Sequence, residues 1–235
     1  NTAVGHSALE AQNFTTSTLS HNTAIGADSG KAISTGVQNT LIGSGAGDAL
    51  TDSDENVAVG YGALSLDTLG QHSVAIGRNA LTAQNFTTAT STFNTAVGYL
   101  AGTELTTAVA CTFIGSNAGA NVTTGNTNTF VGSSAGIGIT GAKLTGANNT
   151  AVGQGAGQDL QGAANSNTIL GRDAGANVST GNENVIIGYD AGSHDIALAT
   201  GDNNVIIGSL ADTTATDTSG ANVIGRNVSG AGGYT

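Results

Sequence analysis

The chain has no proline, no methionine and no tryptophan, one cysteine, and only 9% charged residues among 235. No stretch approaches 18 consecutive apolar residues, so no segment is long enough to cross a bilayer as a helix, and membrane insertion is not expected. A single cysteine, Cys111, excludes an intrachain disulfide. Bases are scarce: Lys31, Arg78, Lys143, Arg172 and Arg226 lie scattered among 16 acids, for a net charge of −11. Nucleic-acid binding needs a basic stripe that displaces counterions, so no nucleic-acid partner is expected, and an anionic membrane surface is disfavoured likewise. No secretory signal is visible and the chain begins and ends inside its own pattern, which reads as a segment of something longer. Low charge and regular β-branched content also argue against disorder.

What is present is a repeat. Asn-Thr, two apolar residues, Gly, two variable residues and Ala-Gly recur thirteen times, as in Asn39-Thr40-Leu41-Ile42-Gly43-Ser44-Gly45-Ala46-Gly47. The phrase glycines fall at 5, 26, 43, 60, 77, 98, 115, 132, 153, 171, 188, 208 and 225; seven of the twelve gaps are 17 residues and the rest 18, 20 or 21. A fixed period of this size means stacked structural units. Small side chains (37 of the residues are Gly) build a narrow core rather than a thick one, which suits a solenoid. The reading is all-β: one parallel β-solenoid, or β-roll, domain over 1–235, of about thirteen coils of ~17 residues, with almost no helix because no apolar set has a 3.6-residue period.

Numbering the phrase from its Asn, position four reads Val4, Ile25, Ile42, Val59, Ile76, Val97, Ile114, Val131, Val152, Leu170, Ile187, Ile207 and Ile224. Twelve of these are β-branched, which favours extended backbone. They are taken as the coil core. Position five is Gly, ending each strand at a backbone angle closed to other residues. Position eight is Ala in eleven copies, a tight corner. Position one is Asn in ten copies, and stacked Asn side chains can hydrogen-bond as a ladder. Cys111 takes an Asn slot as a small stacked residue.

Successive strand residues point to opposite faces. With position four inside, position three points out, yet it is apolar in every copy. Leu41, Phe113, Phe130, Ile169, Ile186 and Ile206 would each forfeit about 1.5–3 kcal/mol in water, so this row is read as the interface of a homotrimer. A longer duplication, residues 8–16 returning at 80–88, places Phe14 and Phe86 in four-residue expansions of the coil, next to Asn13 and Asn85. Insertions in solenoids map to loops, and these four residues are the candidate recognition loops.

Ser73-Val74-Ala75-Ile76-Gly77 resembles the head repeat of trimeric autotransporter adhesins of the Yersinia adhesin type. The Asn-Thr-Ala-Val-Gly-x-x-Ala-Gly variant is similar to repeats in phage tail fibres and mosaic adhesive fibres of bacteria. The resemblance covers essentially the whole chain and implies a left-handed parallel β-roll with three chains around one axis. The coil here is longer than the usual head coil, no stalk, neck or anchor accompanies it, and no binding residue carries over.

Catalytic patterns match only by composition. Gly132-Ser133-Ser134-Ala135-Gly136 fits the nucleophile-elbow phrase without its strand-to-helix setting. Residues 136–141 fit the dinucleotide fingerprint with no helix to follow. Asp52-Ser53-Asp54-Glu55-Asn56 opens like a calcium loop, but Val57 and Ala63 replace its glycine and glutamate. His6, His21, His72 and His194 lack ligand spacing for a metal. Asn13-Phe14-Thr15 and Asn85-Phe86-Thr87 are formal sequons. The sixfold aliphatic rule of acyltransferase solenoids fails at Asp48 and Asp54, and no insertion is large enough for a polysaccharide-lyase cleft. The expectation is no enzyme, no cofactor and no metal. The sequence reads as an extracellular structural and adhesive segment, on a bacterial surface or a virion fibre, that binds itself and a host-cell surface, glycan or matrix protein. A self-assembling filament without a ligand is the alternative. An ice-binding Thr face at position two is the third reading, set aside because those Thr share the face of position four, taken as inward.

Overall fold

A computed structural model describes residues 1–14, 19–195 and 198–230. It divides into two units, Asn1–Cys111 and Thr112–Thr235. The first holds β1 (Thr2–Val4), β2 (Thr23–Ile25), β3 (Thr40–Ile42), β4 (Val57–Val59), β5 (Gly70–Gln71), β6 (Val74–Ile76), β7 (Thr90–Ser91) and β8 (Thr95–Val97). The second holds β9 (Thr112–Ile114), β10 (Thr129–Val131), β11 (Thr150–Val152), β12 (Thr168–Leu170), β13 (Val185–Ile187), β14 (Val205–Ile207), β15 (Asp212–Thr213), β16 (Asn222–Ile224) and β17 (Ser229–Gly230). No helix occurs among the described residues.

Each unit is a parallel β-solenoid. Phrase positions two to four form one rung per coil, and rungs pair in register: Thr23 with Thr40, Ala24 with Leu41 and Ile25 with Ile42; Thr129 with Thr112, Phe130 with Phe113 and Val131 with Ile114. The first unit contributes six such rungs and the second seven, thirteen coils in all. Besides position nine (Leu64 at φ 54°, Gly119 at φ 60°), two further residues per coil turn corners in the left-handed region. One is position seven, such as Asp28 (φ 58°) and Asn117 (φ 57°); the other precedes the Asn, such as Gln38 (φ 60°) and Glu183 (φ 55°). Side chains there are uncommon, and the repeat tolerates them because neighbouring coils hydrogen-bond each corner from both sides: Asp28 donates its N–H to the His6 carbonyl, and Gln38 to that of Ser20.

The core lies beneath positions one and three, not beneath position four. Ala24, Leu41, Ala58, Ala75, Ala96, Phe113, Phe130, Ala151, Ile169, Ile186 and Ile206 are fully buried within the single chain. Position four faces outward: Val4 is 57% exposed, Ile25 40%, Ile114 41%, Leu170 47% and Ile224 71%. Ile42 and Ile76 are exposed as well, and Val59, Val97, Val131, Val152, Ile187 and Ile207 are half-buried. The alternation of faces is as the sequence predicts, and the inside and outside are exchanged. The coil-core row and the interface row therefore trade places.

The physical reason is the Asn at position one. It shares a face with position three, because strand faces alternate every residue, and its amide makes bonds available only inside the coil. Asn39 donates from Nδ2 to the carbonyl of Ser53, near the end of its own coil, at 2.7 Å. Its Oδ1 accepts the N–H of Asn56 in the next coil at 3.0 Å. The same pair of bonds recurs at Asn22, Asn149, Asn167, Asn184 and Asn204.

Large apolar side chains at position three and at position nine exclude each other. Phe113 and Phe130 stack at 5.6 Å between centroids, and the coils that carry them have Gly119 and Gly136 at position nine. A Cβ there would stand 2.6 and 2.5 Å from the respective rings. Coils with Ala58 or Ala75 at position three instead bury Leu64 or Leu81. The constraint at position five is absolute in another sense: Gly115 has φ 133°, and a Cβ on it would meet the Gly132 carbonyl oxygen at 2.5 Å. Gly115→Val is therefore expected to cost about 3 kcal/mol or more, read as a lowered melting temperature. An unchanged melting temperature would refute the turn assignment.

Candidate functional surfaces

The most extensive feature on each unit is the outward face of the rungs. Position two supplies Thr in eight coils, Val57, Val74, Val185 and Val205 in four, and Asn222 in one. Position four supplies Val, Ile or Leu in all. Thr2, Thr150 and Thr168 are exposed and Thr23, Thr40, Thr95, Thr112 and Thr129 half-buried. The rungs stand about 4.8 Å apart, so each unit presents two parallel columns of mostly β-branched side chains. Leu41, Phe113, Phe130, Ile169, Ile186 and Ile206 cannot form this surface, being fully buried already. The Thr column, read from sequence as pointing inward, points outward with position four.

The duplicated loops are placed differently from the sequence reading. Phe86 is buried, at 7% exposure. Its N–H donates to Oδ1 of Asp67 at 2.9 Å, and its carbonyl accepts the N–H of Leu69. Residues 87–89, which follow it, are the exposed part of that coil's expansion. Phe86 therefore covers the widened coil and is not displayed. Phe14 is half-buried, and Asn13 and Asn85 are exposed. Residues 15–18, the rest of the first loop, lie outside the described residues.

The coil that carries Phe86 has a polar interior that motif reading passes over. Asp67 is fully buried and accepts from Gln84 Nε2 at 2.6 Å, from the Phe86 N–H and from the Gly70 N–H at 3.1 Å. Gln84 also donates to Ser73 Oγ, and its Oε1 accepts from Asn94 Nδ2 at 2.9 Å. Ser73 replaces Asn at position one, and Gln84 takes over the missing amide. The signal lies in the coincidence of that Ser with a Gln eleven residues on.

A third feature is a cleft of about 390 Å³ on the first unit, lined by Asp28, Ser44, Gly45, Asp48, Tyr61, Gly62, Ser65 and Asn79. Tyr61 and Tyr99 are exposed and flank the Arg78 guanidinium, 5.7 and 5.8 Å from their ring centroids. Burial pushes the Asp48 carboxyl above the ordinary carboxylate range. The backbone N–H of Asp48 opposes that rise, the neighbouring Asp28 charge adds to it, and Lys31 and the Ala49 N–H reduce it. Asp28 pairs with Lys31 at 3.3 Å. Burial also pushes the Asp159 carboxyl up.

None of these places assembles a nucleophile, base and orienting group. Ser134 sits at a left-handed corner (φ 59°), its N–H donating to Ser116. His194 lies between Asp190 (3.2 Å) and Asp195 (3.6 Å), and His72 faces Glu55 at 3.6 Å while stacking on Phe93. No group of three or more metal-capable side chains occurs among the described residues. Because Phe86 is core, Phe86→Ser is expected to lower stability by about 3 kcal/mol, measured by thermal melting. A variant that melts like the parent would put Phe86 back among the displayed residues.

No family model, curated protein or solved structure matches the chain.

Proposed function

We propose that the chain is a non-enzymatic structural and adhesive segment of an extracellular trimeric fibre, whose copies associate through the outward strip of positions two and four. The observation that carries this reading is the strip itself: an unbroken column of Val, Ile and Leu, each exposed or partly exposed, on every coil of both units. Burying what remains exposed is worth roughly 1 kcal/mol per residue, or about 7 kcal/mol over the seven coils of the second unit. Association costs about 4–15 kcal/mol, so the strip holds copies together only when many rungs engage at once. An identical chain is the partner whose columns share this spacing at every rung. Three chains around one axis, and a left-handed coil, follow from the adhesin-head resemblance. A bacterial surface or a virion fibre is the setting, with a host-cell surface, glycan or matrix protein as the contacted partner. A filament built from the same strip with no outside ligand is the nearest variant of this reading.

The outward Thr column favours a second reading, an ice-binding face, since regularly spaced Thr hydroxyls and methyls on the strip could order water. The two readings use the same residues and separate by experiment. Ile114→Asp with Val131→Asp is expected to convert the oligomer to monomer in sedimentation while the coil stays folded, because both side chains already face outward in the single chain. A wild-type protein that sediments as a monomer and shows thermal hysteresis would replace the fibre reading with the ice-binding one.

A further inference from the structure

Position seven is a left-handed corner in every coil, and side chains are normal there: Asp28, Asn79, Asn117, Ser134 and Asp173 all occupy it. Between Asp28 (φ 58°) and Asn79 (φ 56°) the two intervening coils carry Gly45 (φ 65°) and Gly62 (φ 62°) instead. Glycine is not forced at Gly45. A Cβ there would find nothing nearer than Asp48 Oδ2 at 3.8 Å, an ordinary contact. At Gly62 the room is held by Asn79, whose Oδ1 lies 2.6 Å from where a Cβ would stand. The result is a notch, open at Gly45 and bounded by Asp28 on one side and the Asn79 amide on the other, about two coil steps or roughly 10 Å long.

The notch is furnished for a particular chemistry. Tyr61 stands at its side with its ring 60% exposed, while Arg78 packs over the ring. Asp48 and Ser65 line one wall, Ser44 another, and Asp28 and Asn79 close the ends. Asp48 Oδ2 faces the gap, 3.8 Å from where a Cβ on Gly45 would stand, while its Oδ1 is shielded from solvent, so Oδ2 is the oxygen a ligand meets. An open aromatic face beside planar acceptors suits a ring that is apolar on one face and carries hydroxyl donors at its edge. The volume lies within the ordinary range for small-ligand sites. Two carboxylates repel an anionic ligand. They also fall short of the six to eight oxygen ligands a calcium ion takes, and no metal-capable triad occurs among the described residues. The second unit has no equivalent: Gly155 is its single glycine at position seven, with Asp173 Oδ1 2.5 Å from where its Cβ would stand, and position six there is Gln154 rather than an aromatic.

We propose that this notch binds a neutral pyranose, the sugar's apolar face on Tyr61 and its hydroxyls donating to Asp48 and Asp28. The site needs only the first unit, so it goes beyond the fibre reading and does not require self-association. The test is saturation-transfer NMR on the full chain with the methyl glycosides of glucose, galactose, mannose and N-acetylglucosamine at millimolar concentration. At least one glycoside should receive saturation, strongest at the hydrogens of its apolar face, and should shift the amide signals of Gly45 and Gly62. Gly45→Asn fills the notch with a residue that suits this corner, and should abolish the signal at an unchanged melting temperature. Tyr61→Ala, a surface change, should weaken binding tenfold or more and stands in should Gly45→Asn fail to fold. Silence from all four glycosides, or undiminished binding in either folded variant, would overturn the proposal. So would amide shifts produced by calcium alone. Sedimentation of the same samples reports self-association separately, so failure of one reading is not failure of the other.

Discussion

Everything in this fold hangs on the buried asparagine at the first position of nine of the thirteen coils. Its Nδ2 ties the start of a coil to the carbonyl near that coil's end, and its Oδ1 takes the first N–H of the next coil, as at Asn167 with Gly181 and Asn184. One side chain therefore closes a turn of the solenoid and stacks the turn that follows. Because these groups are fully buried, a missing partner would leave a polar group unsatisfied at about 1–3 kcal/mol each. The bond to the next coil survives where the next residue is not Asn: Ser73, Cys111 and Ala221 still donate their N–H to Asn56, Asn94 and Asn204.

The remaining architecture follows by alternation. With position one inside, position three is inside, and positions two and four are left to solvent. A core one side chain deep from each wall cannot absorb a bulky residue passively, so Phe113 and Phe130 occur with glycine opposite and Ala58 and Ala75 with leucine. What lies outside is consequently monotonous, and that monotony supports the fibre reading: a column of similar β-branched residues on each unit, matched in spacing only by another repeat of the same kind. The notch at Gly45 and Gly62 is the opposite case, a local departure from the repeat with a furnished interior.

Coil number, coil length and strand positions are legible in the sequence because a 17-residue period and the Val-Gly step are local signals. Which face is inward is not legible from hydrophobicity, since positions three and four are both apolar in every copy. The discriminating signals are of another kind. Position three varies from Ala to Phe and is Ala wherever position nine is Leu, while position four hardly varies, and Asn at position one shares its face with position three. Ranking the faces by hydrophobicity overlooks both. Phe86 misleads for a related reason: an aromatic beside an insertion reads as displayed, yet Asp67 and Gln84 pull that segment inward through bonds between different coils. The cleft at Tyr61 is invisible in the chain because its walls come from four successive coils, and its defining feature is a side chain missing at Gly45.

Hydrogen exchange monitored by NMR at the Asn side-chain amides and at the position-one backbone N–H groups reaches the central claim directly. If the ladder holds the solenoid together, the Nδ2 hydrogens of Asn39, Asn167 and Asn184 and the N–H groups of Asn56 and Asn204 exchange only through global unfolding, among the slowest in the protein. Exchange at these sites as fast as at the corner residues of position seven would contradict the account.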